Sequence, residues 1–304
     1  MKGNRKTILA CILVILILGA GAGIIYSVAS NSVTPFSIPV PAAPGINAQT
    51  NAKAEIDMSN TGDGYVMIRY LGSTDKKIKV IIKGPSGASY TYNLNSGGNY
   101  EVFPLTDGNG QYQIGVYENT SDTQYSTAQS ATADVVLSSE FAPFLCPNQY
   151  VNYSKDSAVV KKAAELVGGS DDLLTKISAI YEYVVSNLTY DSNLAATVES
   201  GYLPDVDAVL ASGKGICFDY AAVTTAMLRS QGIPTKLVVG YAGTAYHAWI
   251  NTYSDETGWV DAIIYFDGEK WNMMDPTFAA SGGQSSEVMQ YIGDGSNYTP
   301  KYVY

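Results

Sequence analysis

Histidine is almost absent from this sequence: one residue, His247, stands among 304, beside three cysteines at positions 11, 146 and 217. That scarcity leaves no paired Cys and His cluster for a structural zinc site, and it excludes any His-rich metal centre. It also excludes a disulfide-stapled scaffold, since three cysteines close at most one bridge. Charge is sparse too, at 15% of residues, and the 18 basic side chains are outnumbered by 28 acidic ones for a net charge of −10. No basic block is available to neutralise a phosphate backbone, so nucleic acid is not an expected partner. What is plentiful is apolar material, 46% of the chain, so a large core can be buried, and the length suffices for one large domain or two ordinary ones.

Lys2, Arg5 and Lys6 precede an uncharged run from Thr7 to Ala29. As a helix rising about 1.5 Å per residue, that run would cross a hydrocarbon layer roughly 30 Å thick. The basic flank orients it with the remainder outside the cytoplasm. Residues 1–30 therefore read as a transmembrane segment or a signal peptide. An uncleaved anchor through 7–29 is favoured because the run exceeds the usual ~7–15-residue signal core. The part beyond residue 30 keeps 15 Lys and Arg against 28 Asp and Glu, or −13. The expected location is the cell membrane, single-pass, with secretion as the alternative.

Residues 31–50 carry Pro35, Pro39, Pro41 and Pro44 and read as an extended spacer. From 51 to 139, short alternating runs such as Tyr65–Tyr70, Ile78–Ile82, Tyr90–Leu94 and Tyr112–Tyr117 are punctuated by Gly, Asp, Asn and Pro. This pattern predicts an all-β, Ig-like sandwich of about seven strands with no catalytic constellation. Its many tyrosines suit strand packing or a contact face for peptide or carbohydrate. From 140 to 304 the period changes to that of helices, first over 156–167 and then after Ser170-Asp171-Asp172, with Leu173, Ile177, Ile180, Val184 and Leu188 on one face. A further helix is expected from Cys217 to Gln231, followed by strands at 235–241, 246–253, 258–266 and 270–274. That order predicts an α+β domain.

Gly213-Lys214 is not a phosphate loop, because Ala208 and Gly215 stand where the loop needs Gly and Ser or Thr. Cys217 directly follows the glycine turn, at a helix start where unpaired N–H groups and the helix dipole favour a thiolate over a thiol. His247 shares a strand with Trp249, on the same face. Asp275 stands before Pro276 at the end of a strand. Each alone suits a structural role. Together they are an ordered Cys, His and Asp on successive elements, the set needed for a nucleophile, a base and an orienting carboxylate.

Gly215-Ile216-Cys217-Phe218-Asp219-Tyr220-Ala221, His247-Ala248-Trp249-Ile250 and Trp271-Asn272-Met273-Met274-Asp275-Pro276-Thr277 resemble the three motifs of the transglutaminase-like superfamily. The resemblance covers roughly residues 150–280 and implies a papain-like fold in which Cys217 is the nucleophile, His247 the general base and acid, and Asp275 the orienting carboxylate. Asp219, Tyr220, Trp249 and Trp271 would support the site. Between His247 and Asp275 the sequence is longer than the compact pattern, with a hairpin expected around Asp267-Gly268. The Cys217 N–H is one oxyanion donor; for a second, Tyr190, Trp249 and Tyr202 stay open.

These residues predict acyl transfer through a Cys217 thioester, from a carboxamide or peptide carbonyl of a cell-surface protein or peptide to an amine or water. No metal or cofactor is required. A cysteine peptidase with the same triad and a non-enzymatic surface-binding protein are the alternatives. A disulfide between Cys146 and Cys217, chemically permitted outside the cytoplasm, would block the nucleophile.

Overall fold

Short alternating segments dominate the first half of the chain, and they pair as antiparallel sheets. The computed structural model describes residues 36–261, 264–266, 271–273, 277 and 297–304. The expected membrane segment, the start of the spacer and Asp275 lie outside the described residues. Among those described, no helix is long and apolar enough to cross a membrane.

Eight strands make up the β-region: β1 (Ala48–Thr50), β2 (Ala54–Asp57), β3 (Tyr65–Tyr70), β4 (Ile78–Lys83), β5 (Ser89–Leu94), β6 (Glu101–Pro104), β7 (Gly110–Ser121) and β8 (Gln124–Val135). They form two four-stranded antiparallel sheets, ordered β1-β2-β3-β6 and β5-β4-β7-β8. β1 begins inside the stretch read from sequence as spacer. Alternation decides which face is buried: in β4, Ile78, Val80 and Ile82 point inward while Lys79 and Lys83 face out. Tyr92 and Tyr112 are fully buried, so these tyrosines are core residues.

The second half opens with α1 (Ala158–Val167), which stops where Gly168 turns left-handed at φ +56°, and α2 (Leu173–Asn187). The Asp172 carboxylate caps α2 by accepting from the Thr175 N–H at 2.8 Å. β9 (Thr189–Tyr190), α3 (Ser192–Thr197), α4 (Val206–Ser212) and β10 (Lys214–Gly215) lead into α5 (Cys217–Ser230). Every α5 residue from Asp219 to Ser230 is buried. Small side chains, Ala221, Ala222, Thr224, Thr225 and Ala226, let α1, α2 and α4 approach it on one side and a sheet on the other. That sheet is ordered β13-β12-β11-β16, from β11 (Thr235–Ala242), β12 (Ala245–Ser254), β13 (Gly258–Asp261) and β16 (Tyr298–Val303). β14 (Ile264–Phe266) and β15 (Trp271–Met273) pair as the expected hairpin.

β16 has no counterpart in the sequence reading. It joins β11 through a register shift at Val239/Gly240, where a Cβ on Gly240 would lie 2.1 Å from the Thr299 oxygen. Pro35–Tyr304 forms one compact unit, and a single buried cluster runs from Ile56, Val80 and Tyr92 through Val151 into α1, α2 and α5. The two halves thus share a core.

Candidate active site

Cys217 is the first residue of α5. The preceding Ile216 is extended, at φ −94° and ψ 177°, so the chain enters the helix from β10 without a turn of its own. Asp219 organises this entry. One of its carboxylate oxygens accepts from the Ile216 N–H at 2.8 Å, and the other from the Tyr202 hydroxyl at 2.8 Å. The carboxylate is wholly buried, and desolvation raises its pKa against the opposing pull of those two hydrogen bonds. Gly215 is required by the same arrangement, since a Cβ there would stand 2.5 Å from the Asp219 Cβ.

β12 carries His247, which pairs with Gly240 of β11 and is buried to 7% exposure. The Trp249 ring, two residues along on the same face, lies nearly parallel to the imidazole at 19° and 6.3 Å, with Tyr298 of β16 edge-on to Trp249. Trp249 thus backs His247 from a small cluster with Val238, away from the cleft.

Cys217 and His247 line one cleft of about 530 Å3 together with Tyr150, Tyr190, Tyr202, Phe218, Tyr246 and Tyr304. The Cys217 side chain is half-buried and free, as is the buried thiol of Cys146, which packs in a separate cluster with Tyr65 and Met67. The two cysteines are therefore not joined. Burial pushes the Cys146 thiol up to about 12.

Of the three tyrosine and tryptophan candidates for a second oxyanion donor, Trp249 is outside the cleft and the Tyr202 hydroxyl is committed to Asp219. Tyr190 lines the cleft, held there by the parallel pairing of β9 with β10. Burial raises its hydroxyl pKa, and a charge on Cys217 adds to the effect. Tyr220 is fully buried within α5, outside the cleft lining. Trp271 lies on β15, and Asp275 is outside the described residues. Sequence reasoning missed Tyr150 and Tyr304, whose rings meet at 4.6 Å and which touch Tyr92 of β5 at 5.6 and 5.9 Å. Their only signal was aromatic character outside any motif. Among the described residues, no group of three or more His, Cys, Asp or Glu side chains converges to hold a metal ion.

A buried helix opening on a cysteine, packed against an antiparallel sheet that brings a histidine to the same cleft, is a papain-like arrangement. Residues 160–276 match the transglutaminase-like superfamily, and this part of the chain is a transglutaminase-like domain. The uncharacterized Bacillus subtilis protein YebA is 29% identical over 32% of this chain, which spans only 16% of that protein. A UPF0252 protein of Methanocaldococcus jannaschii is 26% identical over 70% of this chain, which spans 66% of its length. Among solved structures, a protein from Cytophaga hutchinsonii proposed to be a cysteine protease is 18% identical with a TM-score of 0.36, covering 76% of this chain and 69% of that one. Red sea bream transglutaminase is 14% identical with a TM-score of 0.31, covering 75% of this chain and 53% of its own.

Proposed function

We propose that the chain is an extracytoplasmic thiol acyltransferase, anchored through residues 7–29 and acting on proteins or peptides at the cell surface. The observation that carries this reading is that Cys217, at the open N-terminus of a buried helix, and His247 line the same cleft. The Cys217 thiolate attacks a carboxamide carbon; the C–N bond breaks and the departing amine takes a proton from the His247 imidazolium. An acceptor amine or water then gives a proton to His247 as it attacks the thioester, and the thiolate leaves. Asp275 orients the imidazole, and the Cys217 N–H with the Tyr190 hydroxyl receives the developing oxyanion.

Incubation of the full chain with a glutamine-containing protein and a labelled primary amine tests this. Incorporation that disappears in Cys217→Ala supports transfer, and its absence from the wild type overturns it. One observation favours a second reading. Glu199, Ser200 and Gly201 on the cleft wall are exposed, so water reaches the thioester and the same residues would then act as a cysteine peptidase or deamidase. Shortened chains without incorporation identify that case. A catalytically silent binding protein is the third, marked by failure of Cys217 to react with an alkylator at neutral pH.

A further inference from the structure

One wall of the cleft is the segment 198–202, between α3 and α4, and two adjacent residues of it meet two different parts of the molecule, one through a hydrogen bond and one by close approach. On one side, the half-buried Tyr202 donates to the fully buried Asp219 at 2.8 Å, and Asp219 in turn accepts from Ile216 directly before the nucleophile. On the other side, Gly201, left-handed at φ +98°, presses so closely on β5 that a Cβ there would sit 2.0 Å from the Asn93 Nδ2. Asn93 is itself held: its main-chain oxygen accepts from Gln149 Nε2 at 2.7 Å, and the same amide nitrogen donates to the Glu101 carboxylate. Immediately before these two residues, Glu199 and Ser200 stand exposed.

We propose that Tyr202 is a positioning residue: through Asp219 it fixes the 198–202 wall against the first turn of α5, and this bond sets how wide the cleft stands over Cys217 and which acyl donors enter. β5 supplies the opposing contact, which makes the β-region a structural neighbour of the cleft. The physical reason is the asymmetry of a buried hydrogen bond. Losing it leaves a carboxylate oxygen without a donor in a dry site, while the wall, exposed and attached at few points, is the element free to move. The inference rests on Cys217 as the nucleophile only for its kinetic readout.

The test compares alkylation of Cys217 in the full chain by small iodoacetamide and by a bulky fluorescein maleimide, read by mass spectrometry on the Cys217 peptide. Tyr202→Phe removes one hydroxyl and is expected to raise the maleimide-to-iodoacetamide rate ratio by about fivefold or more. In turnover, the KM for a glutamine-containing peptide rises while kcat holds. Asn93→Ala loosens the wall from the β5 side without touching Asp219, and carries the same expectation if Tyr202→Phe does not fold. Unchanged ratios overturn the proposal, as does a fall in kcat with KM constant. A shifted ratio in protein that performs no acyl transfer upholds the wall and removes only the acyltransferase reading.

Discussion

The guanidinium of Arg229, near the end of α5, donates through Nη1 to the main-chain oxygen of Cys146 at 2.8 Å, tying the helix that Cys217 opens to the connector that leaves the β-region. Its other nitrogens donate to the oxygens of Thr235 and Tyr304, each at 2.8 Å, so one fully buried side chain serves three segments. Burial lowers its pKa to about 10. A planar fork makes three divergent bonds that an ammonium group cannot reproduce. Arg229→Met is expected to lower stability by about 3 kcal/mol or more, because three main-chain acceptors lose a charged donor. Denaturant unfolding measures it, and a loss below about 1 kcal/mol would show the carbonyls finding other partners.

Thiol reactivity should divide the two described cysteines. Cys146 is buried and its thiol is pushed up to about 12, whereas Cys217 opens onto the cleft. Iodoacetamide at neutral pH is expected to modify Cys217 in the native protein and leave Cys146 untouched until denaturant is added. Equal labelling of both would contradict this.

Gly215→Ala should damage the site through its neighbour. The new Cβ would meet the Asp219 Cβ at 2.5 Å and a carboxylate oxygen at 3.0 Å. Displacing Asp219 is expected to cost about 1–3 kcal/mol of stability and to slow Cys217 alkylation as the helix entry shifts. Both are read on one preparation, by thermal melting and by labelling rate.

Asp219 also makes stability depend on pH. Its carboxyl pKa is raised when folded, first by desolvation, from the ordinary 3.8. The native state then holds a proton that the unfolded chain has released. Its contribution is fully present below 3.8 and declines as pH rises from there through the raised folded value. Asp219→Asn has no proton to lose, so its unfolding midpoint should fall less steeply over that window. Parallel slopes for the two proteins would assign the dependence to other groups.

His247→Ala should reduce labelled-amine incorporation by roughly a hundredfold or more, the scale of one general acid–base group. The chain holds one histidine, so no other imidazole can take over. Added imidazole is expected to restore part of the rate, and retention of wild-type activity would refute the assignment.

Much of this was legible because it is local. The period-3.6 stripe of α2, its Asp172 cap, the Cys217 helix start and the His247 strand are each written in a few consecutive residues. What sequence did not reveal is long-range. β16 contains Pro300 and pairs with a strand from which it is separated by more than fifty residues, so no local period marks it. The Tyr202–Asp219 bond spans two elements, and neither residue type is diagnostic of its partner. Trp249 reads from its motif as a support of the site; its ring lies nearly parallel to His247, and the Tyr298 ring of β16 that packs against it is a long-range partner no local pattern marks.

The pairing of β16 with β11 bears on the order in which this protein is made. Tyr304 lines the cleft and follows the strand that docks beside β11, far downstream of Cys217. A ribosome releases α5, β11 and β12 first, so the thiol and the imidazole emerge before Tyr304 does. Such distant pairings close slowly. The Cys217 thiol therefore leaves the ribosome before Tyr304, the aromatic ring that lines the cleft beside it, and exposure of that thiol to oxidant would be greatest in this interval.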